Sequence, residues 1–176
     1  MSDSIWSATL AAFRDRLAST DSVPAGVSTA AVSAAFALSL LGKVLAIAAK
    51  RKNFSGDRAL AESLIVQARE QALHLSRLAD RDIVAYHERS REMITVPIDV
   101  ARAAVSGLAL CEQAKDLAHA LVAPDLGTAE ELLAAAVRST LLTATFNLQQ
   151  LPEDDPYRIE ATAEVKRLSP RSRADR

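Results

Sequence analysis

The sequence predicts an all-α protein, an elongated bundle of about five long helices with a short helix at its C-terminal end. Three observations carry that prediction. Of 176 residues 49% are apolar, yet there are only one Trp, two Tyr and four Phe, so Ala and Leu, both strong helix formers, dominate. Only five Gly occur, and turn signals gather in a few places. The stretch from Val23 to Phe54, VPAGVSTAAVSAAFALSLLGKVLAIAAKRKNF, is almost uninterrupted in small and apolar residues. A helix apolar on every side is expected to be wrapped by others.

The elements follow in order. Trp6, Leu10, Phe13 and Leu17 recur at helical spacing, predicting one amphipathic helix from Ser4 to Ala18 with its stripe inward. Ser19 to Gly26 reads as a loop. The central helix follows, with Ser28 or Thr29 as its N-cap. It could match a membrane span in length, but its Ala and Ser content and the internal Lys43 argue against one, the lysine costing roughly 3 kcal/mol in lipid. After a break at Gly56, the pattern predicts a helix from Arg58 to Met93, about 50 Å long, which suggests an elongated bundle and a dimer. Pro97 suits the first position of the next helix. Val122 to Gly127 reads as a turn with Asp125 as an N-cap, followed by a fifth helix ending at Pro152. Tyr157 to Leu168 predicts a short last helix. Residues 1–168 are expected to form one domain, and residues 169–176 a disordered tail.

A net charge of −1 with no basic stripe makes nucleic acid a poor partner. His74, His87 and His119 lack ligand spacing, so no metal is expected, and phosphate-loop and dinucleotide motifs are missing. The lone Cys111, with no charged-then-apolar leader after Met1, points to the cytoplasm.

Asp82 is the position that stands out. It lies on the apolar stripe of the long helix, with Tyr86 four residues later on the same face. A carboxylate facing a bundle is either paired or perturbed in pKa, which makes it a candidate acid or base, or simply a satisfied buried Asp. Lys50, Arg51 and Lys52 end the central helix, where cations complement the macrodipole or bind a carboxylate. The helix start at Ser28 could hold an anion. Asn147 could serve a buried network or a ligand.

In their order these segments resemble the cyclodeaminase/cyclohydrolase family of one-carbon metabolism. The family's Pro-Gly loop and small-residue helix resemble VPAGVSTAAVSAAFALSLLGKVLA, and the basic-aromatic helix end resembles KRKNF. The Asp-x-x-Ala-Tyr signature is similar to DIVAY, Asp82 to Tyr86; the Val-Pro start to TVPIDVA; the Ser-Asp turn to APDLGTA; and the late Asn-Leu to Asn147 and Leu148. The resemblance implies an all-α homodimer whose clefts lie near the subunit interface. It implies a tetrahydrofolate carrying a one-carbon unit as substrate, Asp82 as the proton-transfer group, Tyr86 orienting it, Arg51 or Lys52 binding carboxylates, and Asp125 lining the same cleft. The glycine run of the family loop is here Gly26-Val27-Ser28-Thr29, and polar positions of the central helix are Ala46 and Ala48. Three readings stay open: an enzyme acting on a one-carbon tetrahydrofolate, the same fold acting on a less polar small molecule in a specialised biosynthetic pathway, or a non-catalytic dimeric scaffold.

Overall fold

The computed structural model describes residues 4–169. After a 3₁₀ turn at Ile5–Ser7 come six helices: α1 (Leu10–Leu17), α2 (Gly26–Ala49), α3 (Arg58–Glu88), α4 (Glu92–Ala114), α5 (Ala123–Leu148) and α6 (Pro156–Leu168). Among the described residues there are no strands. Helices α2 to α5 form an antiparallel four-helix bundle in which α2 packs on α3 and α5, α4 packs on α3 and α5, and α6 lies against α4 and α5. Leu38, Leu41, Leu45, Leu64, Leu75 and Leu133 are fully buried along its axis, each worth about 1.5–3 kcal/mol. Gly107 lets α4 approach its neighbours, since a Cβ there would stand 3.0 Å from Leu133 and 3.1 Å from Leu38.

The first expected helix is two pieces. Ala8 is extended and the Thr9 hydroxyl caps α1 by accepting from Ala12 N. The 3₁₀ turn is held by Asp80, which accepts from Ser4 Oγ at 2.6 Å and Ile5 N at 2.8 Å. The stripe is not uniformly inward, because Phe13 is buried whereas Leu10 is exposed. Trp6 packs edge-on against Phe36 and donates from Nε1 to Ser76 O.

The long helix stops at Glu88 rather than Met93. Arg89 adopts a left-handed conformation, φ 48°, which lets Ser90 N–H reach Ala85 O, a C-terminal closure usually given to Gly or Asn. Arg81 then pairs with Glu92 across the reversal. Helix α4 therefore starts five residues before Pro97, which lies within the helix. Likewise α5 begins at Ala123, so Val122 to Gly127 is a helix start and Asp125 stands in its first turn; Val122 is the N-cap, without a side-chain bond. The last helix is as expected, starting one residue earlier behind the cap Asp155. The predicted tail falls outside the described residues beyond Ser169.

Helix α2 is not enclosed on all sides. Phe36 is 45% and Ile47 38% exposed, and both lie on one face with Lys43. Helices α2 and α4 are each long and apolar enough to cross a membrane, but more than half of each apolar window is buried inside the bundle.

Candidate functional site

The N-terminal end of α2 explains why Asp82 sits where it does. Its N-cap is Ala25, which has no side chain to accept a first-turn amide, and neither Ser28 nor Thr29 caps it. Ser28 is instead the third helical residue, and Thr29 bonds back to Ala25 O. The cap comes from another helix. Asp82, on α3, presents Oδ2 to Ser28 N at 3.1 Å and to Ser28 Oγ at 2.5 Å. An acceptor at this place satisfies an orphan amide and complements the positive end of the helix dipole.

Both bonds fall on Oδ2, and among the described residues Oδ1 accepts none. The carboxylate is half-buried. Burial pushes its pKa above the ordinary carboxylate value, while the Ser28 hydroxyl and amide pull back against that rise. Such a group holds its proton more readily than a solvated Asp and can still exchange it, the requirement for acid–base work.

Asp82 opens on a cleft of about 350 Å³ lined by Ser22, Val23, Gly26, Val27, Tyr86 and Asn147 among others. The cleft occupies one end of the bundle, where the starts of α2 and α4 meet the ends of α3 and α5. Tyr86 borders it but makes no hydrogen bond to Asp82, so Ser28 is the residue that orients the carboxylate. Asn147 is held for a different reason. Pro97 has no N–H to give the carbonyl four residues earlier, Met93 O, and Asn147 Nδ2 donates to that carbonyl at 2.7 Å. Its Oδ1 has no protein donor among the described residues. Met93, Thr143 and Phe146 also line the cleft. Their signal in the sequence is faint, because Thr143, Phe146 and Asn147 share one face of α5 only at a helix end.

A sequence profile of the family described as formiminotransferase-cyclodeaminase matches residues 9–93 and 84–167, nearly the whole chain. The chain belongs to that family. A solved structure of formiminotetrahydrofolate cyclodeaminase from Thermotoga maritima superposes with a TM-score of 0.83 over 92% of this chain and 88% of that one, at 22% identity. That likeness concerns the fold. No curated protein matches the chain.

In this family member the remaining candidates lie elsewhere. Arg51, Lys52 and Asp125 do not line the Asp82 cleft. Arg51 borders a small polar cup with Asn53, Asp116 and His119 at the far end of α2, and α2 spans 24 residues, about 36 Å. Asp125 sits at that same far end, in the first turn of α5. The basic run closes the C-terminus of α2 only through the backbone amides of Lys50 and Arg51; the side chain that bonds there is Arg58, which donates to Ala49 O at 2.5 Å and lies over the Phe54 ring. No ion pair among the described residues involves Lys50, Arg51 or Lys52. One chain thus gathers Asp82, Tyr86, Ser28 and Asn147 and leaves the three charged candidates at the opposite end.

Proposed function

We propose that the protein is a cyclodeaminase- or cyclohydrolase-type enzyme that moves protons on a tetrahydrofolate carrying a one-carbon unit between N5 and N10. Family membership makes a folate-related role the parsimonious one. The observation that carries the chemistry is Asp82, a half-buried carboxylate with raised pKa and a free Oδ1 on a cleft. Ring closure with loss of ammonia, or water addition to a methenyl bridge, needs one group that accepts a proton from N10 or water. The same group can return it to the departing nitrogen. On this reading Asp82 takes both steps, Ser28 fixes its orientation, Asn147 Oδ1 accepts from a ring N–H, and Tyr86 lines the same cleft. No step requires a metal. We infer further that the active form is a cytoplasmic homodimer built on one domain, residues 1–168, with neither nucleic acid nor membrane as partner.

The decisive experiment follows loss of methenyl absorbance from 5,10-methenyltetrahydrofolate and ammonia release from the formimino derivative. Wild type should turn over one of them, and Asp82→Asn should lose at least about 100-fold in kcat. Equal rates in both proteins would remove Asp82 from the chemistry.

A second reading applies the same proton-transfer face to a less polar molecule. Val23, Val27, Met93 and Phe146 on the cleft wall favour it. Calorimetry showing no heat with millimolar folinate, against a folded protein, would favour this reading over the first.

A further inference from the structure

A groove of about 340 Å³ runs between α2 and α3 and shares no lining residue with the Asp82 cleft. That volume lies at the small end of the range that ligand sites occupy. Its α3 wall extends from Ile65 to Ser76, about 16 Å of helix, so the groove is long rather than round. Trp6, Phe36 and Leu73 form its apolar sides, and each is more than one-third exposed. At one end Trp6 meets Phe36 edge-on and donates to Ser76 O. Toward the other stands Gly42, where the missing side chain leaves the groove open: no atom lies within 4 Å of a Cβ built there.

Polar groups in this groove are few. Ser39 and Ser76 donate to Ala35 O and Ala72 O, so their protons are spent on their own helices. Arg69 is the one charged lining residue. It is exposed, and no ion pair among the described residues involves it. The residues three and four places away on its own helix, Ile65, Val66, Ala72 and Leu73, are all apolar, so no helical neighbour neutralises it. The facing helix offers no acid either. No Asp or Glu occurs between Asp21 and Asp57, and the single charged residue of α2 is another cation, Lys43. A guanidinium between apolar walls, with no carboxylate from either helix, complements an anion attached to an apolar body.

We propose that the α2–α3 groove is a second ligand site, which takes a free carboxylic acid with a chain-like apolar body. The carboxylate meets Arg69, and the chain lies along Trp6, Phe36 and Leu73. The planar guanidinium suits a carboxylate because it can donate two parallel N–H bonds to it. An exposed ion pair contributes little affinity, so Arg69 selects the ligand's charge while covering the apolar walls supplies the binding. This inference is independent of the folate reading, since neither Asp82 nor turnover enters it.

The chain carries its own reporter, because Trp6 is its only tryptophan and lines the groove. Decanoate, kept below its micelle threshold, is titrated into the full chain while Trp6 emission is followed. A saturable blue shift is expected as the ligand covers the exposed edge of the ring. From hexanoate to decanoate, Kd should tighten by up to about fourfold for each added CH₂. Arg69→Gln should weaken decanoate about fivefold, and Arg69→Lys should recover part of that loss. Decanol should bind wild type and Arg69→Gln alike. Gly42→Leu fills the groove, meets no protein atom at its Cβ and replaces a poor helix former with a good one. It should fold with an unchanged or higher Tm and give no saturable shift. A shift that never saturates, equal decanoate affinity in wild type and Arg69→Gln, or saturation retained in Gly42→Leu would overturn the proposal. So would a groove filled by a second copy: wild type sedimenting at twice the 18.8 kDa of the chain, Gly42→Leu as a monomer, and decanoate silent in both.

Discussion

Asp82 caps a helix to which it does not belong. Its Oδ2 takes the amide and the hydroxyl of Ser28 at 3.1 and 2.5 Å, doing for α2 what Ala25 cannot. The proposed proton carrier is therefore also a joint between α2 and α3, and each role constrains the other.

Stability should report that tension. Burial raises the Asp82 pKa above its unfolded value, so the folded state holds the proton more tightly than the unfolded chain. The resulting stability is fully present below the unfolded pKa and is lost as pH rises through the folded one. At pH 7 the ionised carboxylate is a cost. Asp82→Asn keeps an oxygen for both Ser28 donors and removes the charge. It should gain a few tenths of a kcal/mol at pH 7, and the gain should vanish near pH 3. Urea unfolding of both proteins at the two pH values measures it; a gain that grows on acidification contradicts the account.

Ser28→Ala removes the strongest opposition to that pKa rise, the hydroxyl bond. The acid limb of the pH–rate profile, where ionised Asp82 serves as base, should move to higher pH in the variant. A limb that stays in place would mean that another group sets it.

Asn147 and Pro97 should be energetically coupled. The Asn147 amide occupies a carbonyl that Pro97 leaves free, and its loss should cost about 1 kcal/mol in Asn147→Ala. In a Pro97→Ala background the backbone N–H can reach Met93 O, so the same substitution should cost less. A double-mutant cycle in urea with no coupling would show that the two residues act separately.

Cys111 should be silent toward thiol reagents. Burial pushes its pKa up to about 12, the Glu130 carboxylate adding to the rise and Lys115 opposing it, so almost no thiolate exists at pH 8. Ellman's reagent should react at the rate of global unfolding, and a rapid phase in the native protein would contradict this.

The docking of α6 should be salt-sensitive. Glu164 bonds Arg167 and Arg102; the Arg167 bond first, and then Arg102, hold its pKa down to about 2 against the opposing effect of burial. The contribution is present above the unfolded pKa of 4.5 and lost as pH falls toward 2. Glu164→Gln should lower Tm slightly at pH 7 in low salt, by a margin that shrinks in 0.5 M NaCl because both arginine partners are about half or more exposed to solvent. A margin independent of salt would assign the effect to packing instead.

How much of this was legible depends on the range of the interaction involved. The helices and their order followed from periodicity, because the 3.6-residue repeat is written locally. The ends were less readable. At Arg89 a non-glycine residue takes the left-handed conformation, held by bonds to Ala85 and Tyr86 carbonyls. At Pro97 a proline sits inside a helix because a distant amide compensates it. In both cases a local rule yields to a contact that the local pattern does not contain.

The sequence by itself determined that the chain is all-helical and that a carboxylate on the longest helix is out of keeping with its neighbours. The expectation that the most apolar helix is wrapped on every side did not hold, since Phe36 and Ile47 are exposed. Only the tertiary structure decided what that carboxylate touches, that Ser28 rather than Tyr86 orients it, and that Arg51, Lys52 and Asp125 stand at the other end of the bundle. Burial pattern repeats every turn and survives in one dimension. Which ends of antiparallel helices meet is fixed by packing across dozens of residues, and no spacing along the chain encodes it.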